Sequence, residues 1–257
     1  MERQQKFSPQ RITHLHFWTP ALFTFKTTRP PELKFAAGQF VRLGLAKEDG
    51  EQVWRAYSYA SGPGDDALEF YSIVAPEGEF SPRLAQMKVG DELLVEHVSY
   101  GFLTLDRFVD GKDLWMLATG TGLAPFISVL RDPAVWQKFE RIFLVHSVRW
   151  ASDLTYADLL TDFAHDGIDP AWTNKLRYFT TVTREAAPGA LQGRITTLLE
   201  TGALERAVGA KLNPDSSRIM VCGNPEMVRD MRKLLTDDGY AVSRTATPGP
   251  LALENQW

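Results

Sequence analysis

Up to about residue 105 the chain alternates short apolar runs with clusters of turn-forming residues. The runs "RITHLHF" (11–17), "ALFTFKT" (21–27), "QFVRLGL" (39–45), "WRAYSYA" (54–60), "ALEFYSIVA" (67–75) and "DELLVEHV" (91–98) are rich in β-branched and aromatic residues. "TTRPPEL", "KEDGEQ" and "SGPGDD" separate them. Strands at this spacing predict an antiparallel β-barrel, with one short helix, "SPRLAQM" (81–87), inserted late.

After "DRFVDGKD" the rhythm changes. Strand-like "LWMLA", "RIFLVHS", "LRYFTTV" and "RIMVCG" alternate with the helical patterns "APFISVL", "LTYADLLTDFA", "ITTLLE" and "PEMVRDMRKLL". That alternation predicts an α/β unit with a parallel sheet and crossover helices. Two domains are expected, 1–105 and 113–257. In the last helix Met227, Met231 and Leu234 share a face, with Arg229, Arg232 and Lys233 mostly off it. From Ala241 the tail "AVSRTATPGPLALENQW" is expected to run extended.

Composition narrows the class. Of 257 residues, 44% are apolar and 23% charged, the balance of a soluble globular protein. "MERQQKFSPQ" lacks the apolar core of a signal peptide, and no run approaches the roughly 20 apolar residues of a spanning helix, so a cytoplasmic location with no membrane partner is expected. A net charge of −4, with each half slightly acidic, argues against general nucleic-acid binding. Cys222 is the only cysteine, which excludes an intramolecular disulfide and a thiolate-held iron-sulfur cluster.

Three turns have the form that favours anions. "GTGLAP" (120–125) follows an apolar strand and opens a helix, with Pro125 in place of the third glycine of the usual dinucleotide fingerprint. "GEFSPRL" (78–84) offers Ser81 as a cap and Pro82 as a helix start. "VCGNPEMV" (221–228) offers Asn224 as a cap and Pro225 as the start, with Cys222 at the carboxyl end of a strand, where open α/β sheets place ligands. Each of these, taken singly, also reads as a plain connection, and a lone strand cysteine also reads as a small core residue.

"RAYSYAS" (55–61) holds a different set of groups. On a flat strand Arg55, Tyr57 and Tyr59 share one face and Ala56, Ser58 and Ala60 the other. A barrel strand with inward aromatics and a solvated arginine would look this way. So would a strand facing a ligand that carries both a phosphate and a flat ring, since a guanidinium suits the first and a phenol the second.

"RAYS", "GEFSPRL", "GTGLAPF" and "VCGNPEMV", in this order and spacing, resemble the ferredoxin-NADP reductase family in its compact bacterial ferredoxin (flavodoxin) form. The resemblance covers nearly the whole chain. It implies a two-domain protein, an antiparallel β-barrel FAD domain followed by an α/β parallel-sheet NADP-binding domain, with FAD held at the junction. It places Arg55 on the pyrophosphate, Tyr57 against the flavin or ribityl chain and Ser58 near flavin N5, with Ala56 between them also among the cofactor-binding residues. Ile73, Val74, Ala75, Glu79, Phe80 and Ser81 would line the FAD, with Thr121 close by. A flat strand cannot aim both Tyr57 and Ser58 at one ring, so a bend or a main-chain contact is expected there.

By the same resemblance Gly120, Gly122, Val148, Thr183, Cys222, Gly223, Asn224, Glu226 and Met227 would border NADP(H), and Arg149, Arg184 and Arg194 would read its 2′-phosphate. Taken singly, these arginines also read as solvated surface residues. Ser58 and Cys222 would stand at the reacting rings and Glu254 would relay a proton. Gln256 and Trp257 would cover part of the FAD, Trp257 on either the adenine or the flavin ring. The implied activity is hydride exchange with NADP(H) and single-electron exchange with ferredoxin or flavodoxin as separate proteins, by a monomer. Two alternatives stay open: an NAD(P)H-dependent flavin or ferric-siderophore reductase, and a flavin-holding electron-transfer subunit without independent catalysis.

Overall fold

The computed structural model describes residues 6–47 and 50–255. The first half forms a six-stranded antiparallel sheet from β1 (Phe7–Phe17), β2 (Leu22–Thr27), β3 (Phe40–Ala46), β4 (Gln52–Ser58), β5 (Leu68–Ile73) and β6 (Glu92–Tyr100), in the order β4-β3-β6-β1-β2-β5. The edge strands meet where Tyr59, just past β4, bridges Phe70 and the Ala60 amide donates to the Glu69 carbonyl at 2.8 Å, curling the sheet into a barrel. Its core holds Phe23, Phe25, Val41, Leu43, Tyr59 and Phe70. A single helical turn, α1 (Ser81–Leu84), follows β5.

The second half is a parallel sheet of β7 (Asp113–Thr119), β8 (Arg141–Val148), β9 (Leu176–Val182), β10 (Leu191–Gln192), β11 (Ser217–Gly223) and β12 (Leu251–Asn255), in the order β10-β9-β8-β7-β11-β12. The connections carry α2 (Ala124–Leu130), α3 (Pro133–Lys138), α4 (Ala157–Asp166), α5 (Ile195–Glu200), α6 (Ala203–Val208) and α7 (Pro225–Asp237). β11 is buried at every residue and β7 at every residue but its last, because helices cover both faces of the sheet. The chain winds outward from β7 through β10 and then returns to β11 on the other side. This reversal is the topological switch at which open α/β sheets leave a crevice.

Several details differ from the sequence reading. The inward face of α7 centres on Val228, Met231 and Leu235, with Met227 and Leu234 only partly covered at its flanks. The tail is extended, and it enters the sheet as β12, paired in parallel with β11 from Ile219↔Leu251 to Gly223↔Asn255. Phe80, not Ser81, stands at the start of α1, and the Ser81 hydroxyl accepts the Ala75 amide at 2.9 Å, closing the loop after β5. With four residues α1 has little dipole to draw an anion. Among the described residues no helix is long and apolar enough to cross a membrane.

Candidate functional site

The turn after β7 and the turn after β11 are pressed together at the switch point. A Cβ on Gly122 would stand 2.4 Å from the Cys222 carbonyl oxygen, and one on Gly223, at φ +141°, would stand 2.0 Å from Thr119 Oγ1. That same hydroxyl accepts the Asn224 amide at 2.9 Å. Two glycines therefore let backbone approach backbone, leaving Gly120, Thr121, Gly122, Gly223 and Asn224 along one ridge. Among the described residues no side chain caps the Gly120–Leu123 turn or the start of α2, whereas the Asn224 side chain accepts from the Glu226 and Met227 amides at α7. His146 lies fully buried beneath, its Nε2 3.1 Å from the Gly120 carbonyl; burial lowers its pKa to about 4, so the neutral ring donates to that carbonyl.

From the barrel side, β4 brings Arg55 and Tyr57 to one face. Arg55 is exposed and has no carboxylate partner among the described residues; its Nη1 donates to the Trp54 carbonyl at 2.8 Å. Tyr57 is half buried, 5.5 Å from the Phe80 ring and with its hydroxyl 3.0 Å from Ser72 Oγ, and burial pushes its phenol up to about 12. β4 stays in regular register with β3 through Phe40↔Ser58. Tyr57 and Ser58 consequently face opposite ways, and a shared contact with one ring requires main chain at one of them. Tyr59, read from sequence as sharing the ligand face, is fully buried, stacked at 3.9 Å on Phe35. Around this strand Ile73 and Val74 are partly buried and Ala75 is exposed, Phe80 and Ser81 are buried, and Glu79 pairs with Lys47 at 3.5 Å.

The two sides are joined by the tail. Glu254 lies beside Cys222 in the β11–β12 register and reaches across to accept the Phe102 amide at 3.2 Å, just past β6. Burial raises its carboxyl from 4.5 to about 7 against the opposing effect of that bond. Cys222 is fully buried, and desolvation together with the Glu254 charge holds its thiol protonated. It packs in the apolar core beneath the turns and is not an exposed nucleophile. The folded protein binds a proton at Glu254 between pH 4.5 and 7 that the unfolded chain has lost, so this contribution to stability is present at low pH and falls as pH rises through that window. Glu254→Gln is expected to flatten the decline in thermal midpoint between pH 5 and 8, an effect on the order of 3 kcal/mol at the upper end. Parallel pH profiles for variant and wild type would contradict this assignment.

At the far carboxyl edge of the sheet three arginines gather. The Thr183 amide donates to the Val148 carbonyl at 3.1 Å and the Arg184 amide to the Arg149 carbonyl at 3.0 Å, while β10 runs beside β9 and delivers Arg194 at the start of α5. All three side chains are exposed, and none pairs with a carboxylate among the described residues. Such a cluster is suited to a phosphate monoester. Gln256 and Trp257 lie outside the described residues.

Sequence reasoning missed Thr119 and Phe102, which act through a hydroxyl and a main-chain amide. It also missed Glu69 and Arg131, paired at 2.9 Å across the seam of the two halves. The one available signal was a carboxylate inside the apolar run "ALEFYSIVA".

The barrel and the sheet each match a family description: Oxidoreductase FAD-binding domain over residues 17–99 and Oxidoreductase NAD-binding domain over residues 116–233. A flavodoxin/ferredoxin-NADP reductase of Shigella flexneri is 43% identical over 248 residues, 96% of this chain and 97% of that one. A ferredoxin-NADP reductase of Pseudomonas aeruginosa is 42% identical over 249 residues, 95% of each chain. The crystal structure of a ferredoxin NADP+ reductase from Neisseria gonorrhoeae, with bound FAD and NADP, matches with a TM-score of 0.92 at 40% identity, across 99% of this chain and 100% of that one. The chain belongs to the flavodoxin/ferredoxin-NADP reductase family.

Proposed function

We propose that this protein is an FAD-dependent reductase that exchanges hydride with NADP(H) and single electrons with ferredoxin or flavodoxin. The observation that carries the reading is the meeting, at one seam, of the Arg55–Ser58 strand, the glycine-built crevice between β7 and β11, and the Glu254 bridge to Phe102. The residues fit the cofactors: Arg55 is a cation without a carboxylate partner among the described residues, beside a half-buried phenol, and Gly122 and Gly223 let the two turns pack backbone to backbone at the switch point, where Cβ atoms would force them apart. FAD, when bound, supplies the hydride and one-electron chemistry.

The chain's own residues bind and orient. Arg55 pairs with the pyrophosphate, Ala56 and Tyr57 flank the flavin or ribityl chain, and Ser58 lies near N5. Ile73, Val74, Ala75, Glu79, Phe80 and Ser81 form the surrounding wall. Thr121 stands close to the FAD, and Gly120, Gly122, Cys222 and Gly223 border the nicotinamide, with Val148, Thr183, Asn224, Glu226 and Met227 along its path. Arg149, Arg184 and Arg194 hold the 2′-phosphate. A carboxyl that titrates near 7 can hold or release a proton at Glu254 Oε2 under neutral conditions.

The electron partner is a separate carrier protein, and the reductase works as a cytoplasmic monomer without membrane or nucleic-acid partners. Turnover at fixed NADPH with purified ferredoxin or flavodoxin is expected to exceed that with ferric chelates or free flavin by at least about tenfold in kcat/KM. The reverse ranking would favour a small-molecule reductase.

A further inference from the structure

Hydrogen bonds tie the two halves together, and they start at the two cofactor motifs themselves. Helix α2 opens directly from the Gly120–Leu123 turn, and its far end grips the segment that continues the Arg55–Ser58 strand. Ser128 Oγ donates to the Ser61 carbonyl at 2.7 Å, and Arg131 Nη1 donates to the Ala60 carbonyl at 2.9 Å. A short stiff rod thus connects the nicotinamide-side turn to the flavin-side strand.

A second tie lies beside it. Arg131 also donates to the Glu69 carboxylate at 2.9 Å, and Glu69 is 4% exposed within β5. The Tyr156 hydroxyl donates to Glu69 Oε1 at 3.0 Å and lies 2.7 Å from Thr24 Oγ1 of β2, while Thr155 Oγ1 donates to the Tyr71 hydroxyl at 2.7 Å. Burial opposes a charge at Glu69, but Arg131, Lys26 and Tyr156 outweigh it and hold the carboxyl below its ordinary range. Tyr156 adopts φ +58°, a left-handed conformation disfavoured for an aromatic residue and kept only where its surroundings fix it. The strain places its hydroxyl between Thr24 and Glu69.

Apolar contact also fills the seam, where Leu22, Ala60, Tyr71 and Leu103 pack with Phe126 and Ile127. That attraction is non-directional and would hold the halves together over a range of angles. Buried ion pairs, conversely, are often no more stabilising than apolar replacements. What the polar ties add is direction.

We propose that Ser128, Arg131, Tyr156 and Glu69 are positioning residues for hydride transfer, fixing the distance between the Gly120–Leu123 turn and the Arg55–Ser58 strand, a role that presupposes FAD and NADP(H) at this seam. A misplacement of about 1 Å can slow such a step roughly a hundredfold. The test uses the FAD-loaded Ser128→Ala/Tyr156→Phe variant, which removes hydroxyls from both ties without leaving Glu69 unpaired. Arg131→Gln/Glu69→Gln, which neutralises the ion pair as a unit, serves as a second variant. Expected are flavin reduction by NADPH slowed at least tenfold in stopped flow, and a diminished change in flavin absorbance on titration with NADP+. FAD content, reducibility by dithionite and the NADP+ dissociation constant should stay within about threefold of wild type, since the three arginines lie on the sheet alone. Wild-type rates and an unchanged NADP+ difference spectrum in both variants would overturn the role. So would losses that merely follow FAD content or melting temperature. FAD retention and NADPH reactivity of the unmodified protein are measured alongside, so failure of the flavoenzyme reading shows there, and failure of the positioning role shows only in the variants.

Discussion

Replacing Arg184 and Arg194 together by alanine is expected to raise the Michaelis constant for NADPH roughly a hundredfold while leaving NADH turnover within about twofold. The two cations stand on neighbouring pieces of backbone, Arg184 just past β9 and Arg194 just past β10, held where the Arg184 amide donates to the Arg149 carbonyl and the Gly193 amide to the Val182 carbonyl. Their guanidinium groups are exposed and meet no carboxylate among the described residues, so their removal leaves no buried charge behind. A hydrogen bond between charged groups contributes about 1.5 kcal/mol or more, and two of them amount to about 3 kcal/mol, or two orders of magnitude in affinity. NADH lacks the 2′-phosphate and should not register the loss. Steady-state kinetics with both nucleotides checks this, and equal losses would remove the phosphate assignment.

Gly122→Ala is expected to cut hydride transfer from NADPH at least a hundredfold while the barrel keeps its FAD. The added carbon would lie 2.4 Å from the Cys222 carbonyl oxygen, 2.6 Å from its carbon and 2.6 Å from Gly223 Cα, all main chain in buried strand β11 or its end. None of these can rotate aside, so the turn itself must move away from the crevice. Gly223→Ala should act in the same direction, since its Cβ would strike Thr119 Oγ1 at 2.0 Å from a backbone conformation that side chains rarely adopt. Gly209→Asn provides the contrast: it sits at φ +69° with open space around it, and asparagine tolerates that region. Stopped-flow reduction with FAD quantified per chain separates the cases, and a Gly122→Ala protein with wild-type reduction rates would refute the close-approach account.

The division into a barrel and a parallel sheet was legible because both halves keep the periodicity of their elements. "LWMLA" and the "IMVC" of "RIMVCG" are unbroken apolar runs because both faces of the sheet are covered, and the fold places them as neighbours at its centre. The turn residues at the strand ends were legible for a different reason: glycine, proline and capping asparagine have few uses at the mouth of a strand, and Gly120, Pro125, Asn224 and Pro225 stand in the turns that open α2 and α7. Relations between distant segments were hidden. That Tyr59 turns into the core while Tyr57 stays at the rim depends on the barrel closing through Phe70, far along the chain. The Glu69, Arg131 and Tyr156 tie joins residues separated by up to 87 positions, and no local pattern specifies such a partner. β12 escaped as a strand because its pairing is set by β11, and the Pro248-Gly249-Pro250 stretch before it reads only as an irregular approach.

The seam is read as a slot for a flavin over which a reduced nicotinamide can lie, and the visible absorption spectrum of the purified protein before and after anaerobic addition of NADPH tests this most directly. A yellow protein with one FAD per chain, bleached rapidly by NADPH and far more slowly by NADH, is the predicted result. A colourless protein that takes up no FAD when it is supplied, or a flavin left oxidised by NADPH, would contradict it.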